Sequence, residues 1–224
     1  MNTPPTSAPR VLLADDHALL LDAFQRLLEP AYTVVGAVTD GRELVAAALR
    51  LKPDVIVADI SMPRLNGLDA CEALMQELPD TRLVFLTVNE DPDVAAEALR
   101  RGAAGYLLKK AAAAELFTAL ARVLEGKYYV APQISSEPVA VFVARALRSR
   151  ARHPLTRRQR EVLQLLAEGR AMKEAADVLG LSPRTIAFHK YTMMEQLGFR
   201  TSAELVQHAV KLGLVNPRES PELG

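Results

Sequence analysis

"LLADDHALLLDAF", Leu12 to Phe24, sets two carboxylates side by side directly after an apolar run. The apolar run suits a short buried strand, and the residues from Ala18 onward have helical spacing. One Asp at the joint would serve as a helix cap. Two adjacent ones ask for a further role, and the rest of the chain must supply it.

Similar units follow. Short β-rich runs recur at Val11–Ala14, Thr33–Val38, Asp54–Ala58, Arg82–Leu86 and Gly105–Leu108. Helical stretches lie between and after them, at Ala18–Leu28, Arg42–Leu51, Leu68–Leu78, Val94–Arg101 and Ala112–Leu124. This strict β/α alternation predicts a parallel sheet with helices on both faces. Gly41, Pro53, Gly67, Pro79, Pro92 and Gly102 fall near the joints. The strands of such a sheet all end at one edge, where ligands bind. Asp15 and Asp16 follow the first strand, Asp59 the third, Thr87 the fourth and Lys109 the fifth.

That set has a physical logic. Three nearby carboxylates repel one another and resist joint ionisation. A hard divalent cation resolves the conflict, and Mg²⁺ is the usual choice where phosphate is handled. One carboxylate can then act as a nucleophile toward phosphorus. Lys109 would meet a phosphoryl oxygen as a compact point charge, and Thr87 would donate a hydrogen bond. Each residue also has a plainer reading. Asp15 and Asp16 could cap the helix, Asp59 could open the turn in "DISMPRLNG", Thr87 could be a β-residue and Lys109 a solvated lysine. Their joint occurrence at four strand ends favours the chemical reading.

The stretches "ADDH" (Ala14–His17), "VADISMPRLNG" (Val57–Gly67), "LTVNED" (Leu86–Asp91) and "GAAGYLLKK" (Gly102–Lys110) carry a family resemblance. Through them the first half resembles a response-regulator receiver domain. The resemblance implies a flavodoxin-like, doubly wound, five-stranded parallel sheet of order 2-1-3-4-5. It implies that Asp59 accepts a phosphoryl group from a sensor histidine kinase. Asp15, Asp16 and Asp59 would place Mg²⁺, with the Ser61 backbone carbonyl as a further ligand. Thr87 and Tyr106 would form the switch pair, and Lys109 the phosphate partner. Phosphorylation would draw Thr87 and Lys109 toward the new group while Tyr106 packs inward. Lys110 departs from the family pattern; Lys109, third after Tyr106, is the better match. A metal-dependent phosphohydrolase on the same sheet would need a second acid–base carboxylate two residues after its nucleophile. "DISMP" has none there, so no enzyme is expected. The alternative is a receiver that is not phosphorylated and serves as a protein-binding module.

The middle reads differently. "GKYYVAPQISSEP", Gly126 to Pro138, is a loop by its Gly, Pro and Ser content. Val139, Phe142, Val143, Ala146 and Leu147 then form an apolar helical stripe, flanked by Arg145, Arg148, Arg150 and Arg152. A linker helix packed on one of the two halves is expected.

The last third is helical. In "LTRRQREVLQLLAEG", Thr156 and Gln159 form a capping box and Gly169 a stop. "MKEAADVLG" is a short helix ended by Gly180. "LSPRTIAFHKYTMMEQLG" has Ser182 as cap, Pro183 at the first helical position and Gly198 at the end. Thr201 and Glu204 form another capping box. Two helices joined by so short a turn spell a helix-turn-helix. In the third helix Ile186, Met193 and Leu197 share one face, while Arg184, Ala187, Phe188, Tyr191 and Glu195 lie opposite. An outward face with Arg and aromatic groups suits the DNA major groove, where Arg reads guanine and apolar groups meet thymine methyls. Lys190 and Arg200 could reach phosphates. Residues from about Leu155 to Val215 resemble the LuxR-type DNA-binding domain of the NarL/FixJ response regulators. The resemblance implies contacts to double-stranded promoter DNA from Arg184, Thr185, Ala187, Phe188, Lys190, Tyr191 and Arg200. Ala171–Met172 and Ala187 depart from the usual residues, so no target sequence carries over. The class also implies a homodimer when phosphorylated, and a recognition helix covered by the receiver before that.

Composition agrees with this division. Residues 1–127 hold 13 Lys and Arg against 18 Asp and Glu; residues 128–224 hold 14 against 9. An acidic front and a basic back suggest different partners, the second polyanionic. A single cysteine, Cys71, excludes an internal disulfide and suits a reducing compartment. No apolar run reaches transmembrane length, and no membrane role is expected of this cytoplasmic reading. The expected layout is a receiver at 9–127, a partly helical linker at 128–153, a helix-turn-helix domain at 154–216, and flexible tails at 1–8 and 217–224.

Overall fold

The computed structural model describes residues 8–148 and 155–215. Arg150, Arg152 and all but Ala8 of the expected tails lie outside those residues. The strands are β1 (Arg10–Ala14), β2 (Thr33–Val38), β3 (Val55–Ala58), β4 (Arg82–Thr87) and β5 (Gly105–Leu108). The helices between and after them are α1 (Ala18–Leu28), α2 (Gly41–Leu51), α3 (Gly67–Glu77), α4 (Pro92–Arg100) and α5 (Ala112–Leu124). All strand pairs are parallel, in the order β2-β1-β3-β4-β5 followed by a sixth strand, β6 (Tyr129–Val130). The sequence reading had five strands and a loop here. Two residues are too few to show a period of two. Backbone bonds from Tyr129 N to Ala104 O (3.0 Å) and from Ala131 N to Tyr106 O (2.9 Å) hold the extra edge.

Strand β3 shows why the sheet is central. All four of its residues are buried. Ile56 and Ala58 point into one core with α2, α3 and α4; Val55 and Val57 point into the other with α1 and α5. A strand covered on both faces must be apolar throughout, which explains the unbroken run.

The expected linker helix is present as α6 (Val139–Arg148), packed on α4. Phe142, Val143 and Ala146 are buried, but Leu147 is 49% exposed. At about 100° per residue Leu147 sits at the outer edge of the stripe, beyond the reach of α4.

The second unit holds α7 (Arg157–Ala167), α8 (Met172–Leu179), α9 (Pro183–Leu197) and α10 (Ser202–Lys211). Thr156 and Gln159 close the reciprocal capping box on α7, and Thr201 and Glu204 do so on α10. Ser182 caps α9 through the Thr185 amide. Gly180 and Gly198 end α8 and α9 in left-handed backbone, at φ 64° and 71°. Val162, Leu163, Ala176, Ile186, Met193, Leu205 and Ala209 form a core of their own.

Candidate functional site

Parallel pairing delivers the acidic residues to one place. Ala14 at the end of β1 sits beside Ala58 at the end of β3, and Asp59 N donates to Ala14 O at 2.8 Å. Asp15, Asp16 and Asp59 therefore leave the sheet together. Lys109, in a 3₁₀ turn just past β5, reaches across: its Nζ lies 2.7 Å from Asp15 Oδ2 and 2.7 Å from Asp59 Oδ2. Asp59 is 1% exposed, and its Oδ1 accepts the Ile60 amide at 2.6 Å. Burial pushes the Asp59 carboxyl above the usual range; Lys109 pulls it down, and Asp15 adds repulsion. Burial alone would lower Lys109, but the Asp59 and Asp15 carboxylates raise it on balance.

Neither Asp of the doublet caps α1. His17 is the N-cap and gives no side-chain cap bond. Asp15 Oδ1 instead accepts the His17 amide at 2.9 Å, and His17 Nδ1 lies 2.7 Å from Asp16 Oδ1 and 3.2 Å from Asp15 Oδ1. This role of His17 is not among the sequence expectations; its adjacency to the doublet is the available signal. Asp15, Asp16 and His17 bring their ligand atoms within 4.8 Å of one another. Asp15 and Asp59 share the Lys109 ammonium while Asp16 turns to His17, and carboxylates so placed at one sheet edge are hard oxygen donors fit for a hard divalent cation.

Thr87 and Tyr106, the two residues expected to form a switch pair, flank this site. Thr87, the last residue of β4, is fully buried, and its Oγ1 accepts the Asn89 amide at 3.2 Å. Tyr106 is fully buried too, and its hydroxyl donates to Asn89 O at 2.9 Å. Its ring is thus already inward. Lys110 turns away to Glu90 Oε1 at 2.5 Å, among exposed groups, which leaves Lys109 as the lysine at Asp59. Ser61 lies beside Asp59, with its amide 3.4 Å from Asp59 Oδ1. Cys71 is buried, with its thiol pushed up to about 12 by desolvation, and is inert packing.

In the second unit, Ile186 and Met193 face the core as the periodicity requires. Phe188 (66% exposed) and Tyr191 (62% exposed) point outward on α9, beside exposed Arg184. Lys190 Nζ lies 5.8 Å from the Tyr191 ring centre, so its charge sits on the same surface. Thr185 and Ala187 are half-buried at the margin, and Arg200 is exposed just before α10. The receiver does not cover this face, contrary to the masked arrangement expected from the class. It contacts the second unit through α7 and the C-terminal turn instead.

Those contacts went unread in the sequence. Gln164 of α7 donates to Met62 O at 2.7 Å and accepts the Asn66 amide at 3.0 Å. Arg160 reaches Asp69 Oδ1 at 2.8 Å and Glu72 at 3.3 Å, while Arg101 of the receiver also binds Asp69 Oδ1 at 2.6 Å. Arg160 and Arg101 outweigh the cost of burial and hold the Asp69 carboxyl below its usual range. Ser61 Oγ donates to Gly213 O at 3.0 Å. Only the polarity of Arg160 and Gln164 on an otherwise buried helix face hinted at such partners.

Comparison with known proteins now bears on the chain. Residues 11–121 match the response regulator receiver domain, and residues 153–209 match the luxR family of bacterial regulatory proteins. The oxygen regulatory protein NreC of Staphylococcus aureus is 33% identical over 214 residues, spanning 92% of this chain and 99% of NreC. The chain is a NarL/FixJ-type response regulator. Another relative, the transcriptional regulatory protein MctR of Rhizobium johnstonii, is 32% identical across 92% of this response regulator and 95% of MctR. Among solved structures, RcsB of Salmonella typhimurium superposes with a TM-score of 0.66 at 26% identity, over 92% of this chain and 99% of RcsB. Another RcsB structure, bound to a promoter, gives 0.61 at 26% identity over 90% of this chain and 98% of RcsB. No helix among the described residues is long and apolar enough to cross a membrane.

Proposed function

We propose that this response regulator accepts a phosphoryl group on Asp59 from a sensor histidine kinase and thereby controls dimerisation and binding to promoter DNA. The single observation that carries the reading is Lys109 Nζ placed 2.7 Å from Asp59 and from Asp15. A buried carboxylate held by one ammonium, beside two further acidic residues, has the parts of an acyl-phosphate site. In the transfer, an Asp59 oxygen attacks phosphorus as the donor's P–N bond breaks. The electron pair returns to the imidazole nitrogen, and the product is an aspartyl phosphate. Mg²⁺, held by Asp15, Asp16, Asp59 and the Ser61 carbonyl, would neutralise charge on the group in transfer. Lys109 takes one phosphoryl oxygen and Thr87 another. Tyr106 reports the change to the neighbouring surface, biasing an existing two-state equilibrium.

The second unit supplies the output. Arg184, Phe188 and Tyr191 on the open face of α9 suit base edges in the major groove, with Thr185 and Ala187 at the margin. Lys190 and Arg200 suit phosphates. Promoter DNA as partner places the work in the cytoplasm. The functional units are 9–127 and 154–216, joined by the linker at 128–153.

Incubation with acetyl phosphate and Mg²⁺, read by intact mass, tests the acceptor. Wild type gains one phosphoryl group and Asp59→Asn gains none. Equal gain on both moves the acceptor elsewhere, and no gain from acetyl phosphate or a kinase donor favours the protein-binding module.

A further inference from the structure

His17 breaks a local rule. It stands at the N-cap of α1, where Ser, Thr, Asp or Asn is preferred because a short side-chain oxygen takes an orphan amide. The His17 ring makes no such bond, and the first turn of α1 holds no acidic residue. No packing demands an imidazole here either, since the side chain is 52% exposed. The ring goes to the carboxylate doublet instead. Its Nδ1 lies 2.7 Å from Asp16 Oδ1 and 3.2 Å from Asp15 Oδ1. An ionised carboxylate only accepts, so Nδ1 carries the proton and donates.

These contacts divide the oxygens of the doublet. Asp15 is held from both sides: Oδ1 accepts the His17 amide at 2.9 Å, and Oδ2 faces Lys109 Nζ at 2.7 Å. Its own amide donates to Val38 O at 3.1 Å, so Asp15 is fixed by the sheet as well. Asp16 is held differently. The imidazole takes its Oδ1, which leaves Oδ2 for another partner. Asp16 and Ser61, both expected at the cation, border the same cavity of about 210 Å³.

We propose that His17 is a positioning residue for the divalent cation: its Nδ1–H fixes the direction in which Asp16 presents its second oxygen. The proposal rests on the acidic set being the cation site. A short Asp side chain past a strand end has several rotamers, and only some of them aim an oxygen at the space shared with Asp15 and Asp59. Mg²⁺ demands near-ideal octahedral geometry, so a carboxylate that wanders binds it poorly. A hydrogen bond to the other oxygen of a ligating carboxylate holds the direction. Losing such a partner weakens metal binding by roughly 10–100-fold. The ring is not itself a ligand in this arrangement, because Nδ1 points a proton at Asp16 and has no lone pair left for the cation.

The test compares full-length wild type, His17→Ser and His17→Asn at one neutral pH. Ser supplies a helix cap but no donor at the place of Nδ1. Asn supplies a cap and sets its amide nitrogen one bond beyond Cγ, where His has Nδ1. Mn²⁺ is the probe, another ion suited to carboxylate ligands. Loss of the free-ion signal in electron paramagnetic resonance reads its binding, displacement by Mg²⁺ reads the affinity for Mg²⁺, and thermal melting reads the fold. The expected result is a Ser variant that melts no lower than wild type yet binds both ions roughly tenfold more weakly, with Asn within about threefold of wild type on the same scale. A Ser variant with wild-type affinity overturns the proposal. So does an Asn variant as weak as Ser, a comparison that decides alone if Ser melts low. Loss of Mn²⁺ affinity with Mg²⁺ affinity unchanged would make the ring a ligand and also overturn it. Absence of displaceable Mn²⁺ from wild type is a different failure, since it removes the cation site itself.

Discussion

Replacing Lys109 by Met removes the cation that bridges Asp15 and Asp59 while keeping most of its volume. Lys109 Nζ holds Asp15 and Asp59 at 2.7 Å each, and all three side chains are at most 11% exposed. Breaking a buried pair leaves an uncompensated charge and costs about 3–5 kcal/mol. Here two carboxylates lose the same partner. Asp59 is the group that yields. Burial already raises its carboxyl, and losing Lys109 removes the main opposing influence. A carboxyl raised on folding contributes stability at low pH and loses that contribution as pH rises through its folded value. The deficit of Lys109→Met relative to wild type is therefore largest at neutral pH and shrinks on acidification. Urea unfolding in EDTA, followed by circular dichroism at neutral and mildly acidic pH, measures both. A variant within about 0.5 kcal/mol of wild type at neutral pH refutes the reasoning, since that is the range of an ordinary surface substitution.

Other perturbations have equally definite outcomes. Asp69→Ala removes the buried carboxylate shared by Arg101 and Arg160, leaving Arg160 with Glu72 and Arg101 with Glu97 and Glu72, and should cost about 3 kcal/mol in urea unfolding. The Asp69 carboxyl is lowered on folding, so its contribution is present above the ordinary carboxylate pKa and lost as pH falls; Asp69→Asn should flatten the acid limb of the stability curve. Gly198→Ala meets no atom within 4 Å, so only its left-handed backbone resists, at about 1–2 kcal/mol in thermal unfolding. Tyr191→Ala should weaken binding to specific DNA, whereas Lys190→Ala should weaken all sequences alike and reduce the salt slope by about one, both read by fluorescence anisotropy.

Much of this molecule was legible because its signals are local. The βα alternation, the capping boxes at Thr156 and Thr201, and the stops at Gly180 and Gly198 depend on residues a few positions apart. The rim at Asp15, Asp16, Asp59, Thr87 and Lys109 was readable for a related reason. Parallel topology puts every strand end on one edge, so position after a strand stands in for position in space. Where that shortcut fails, so did the reading. Strand β6 is two residues long and exists because β5 has a free edge. The bond from Ser61 to Gly213 joins residues 152 positions apart, and nothing in either neighbourhood announces it. Gln164 reads as one polar residue on an amphipathic helix until its partners at Met62 and Asn66 are in view. The choice between Lys109 and Lys110 likewise needed geometry: one faces Asp59 and the other Glu90.

The central claim is that Asp59 controls where this protein sits on DNA. Genome-wide occupancy of wild type and Asp59→Asn, at matched protein levels and under conditions that phosphorylate the wild type, tests it most directly. The account predicts discrete promoter sites for wild type that fade or vanish in Asp59→Asn. The same sites at the same enrichment in both proteins would contradict it.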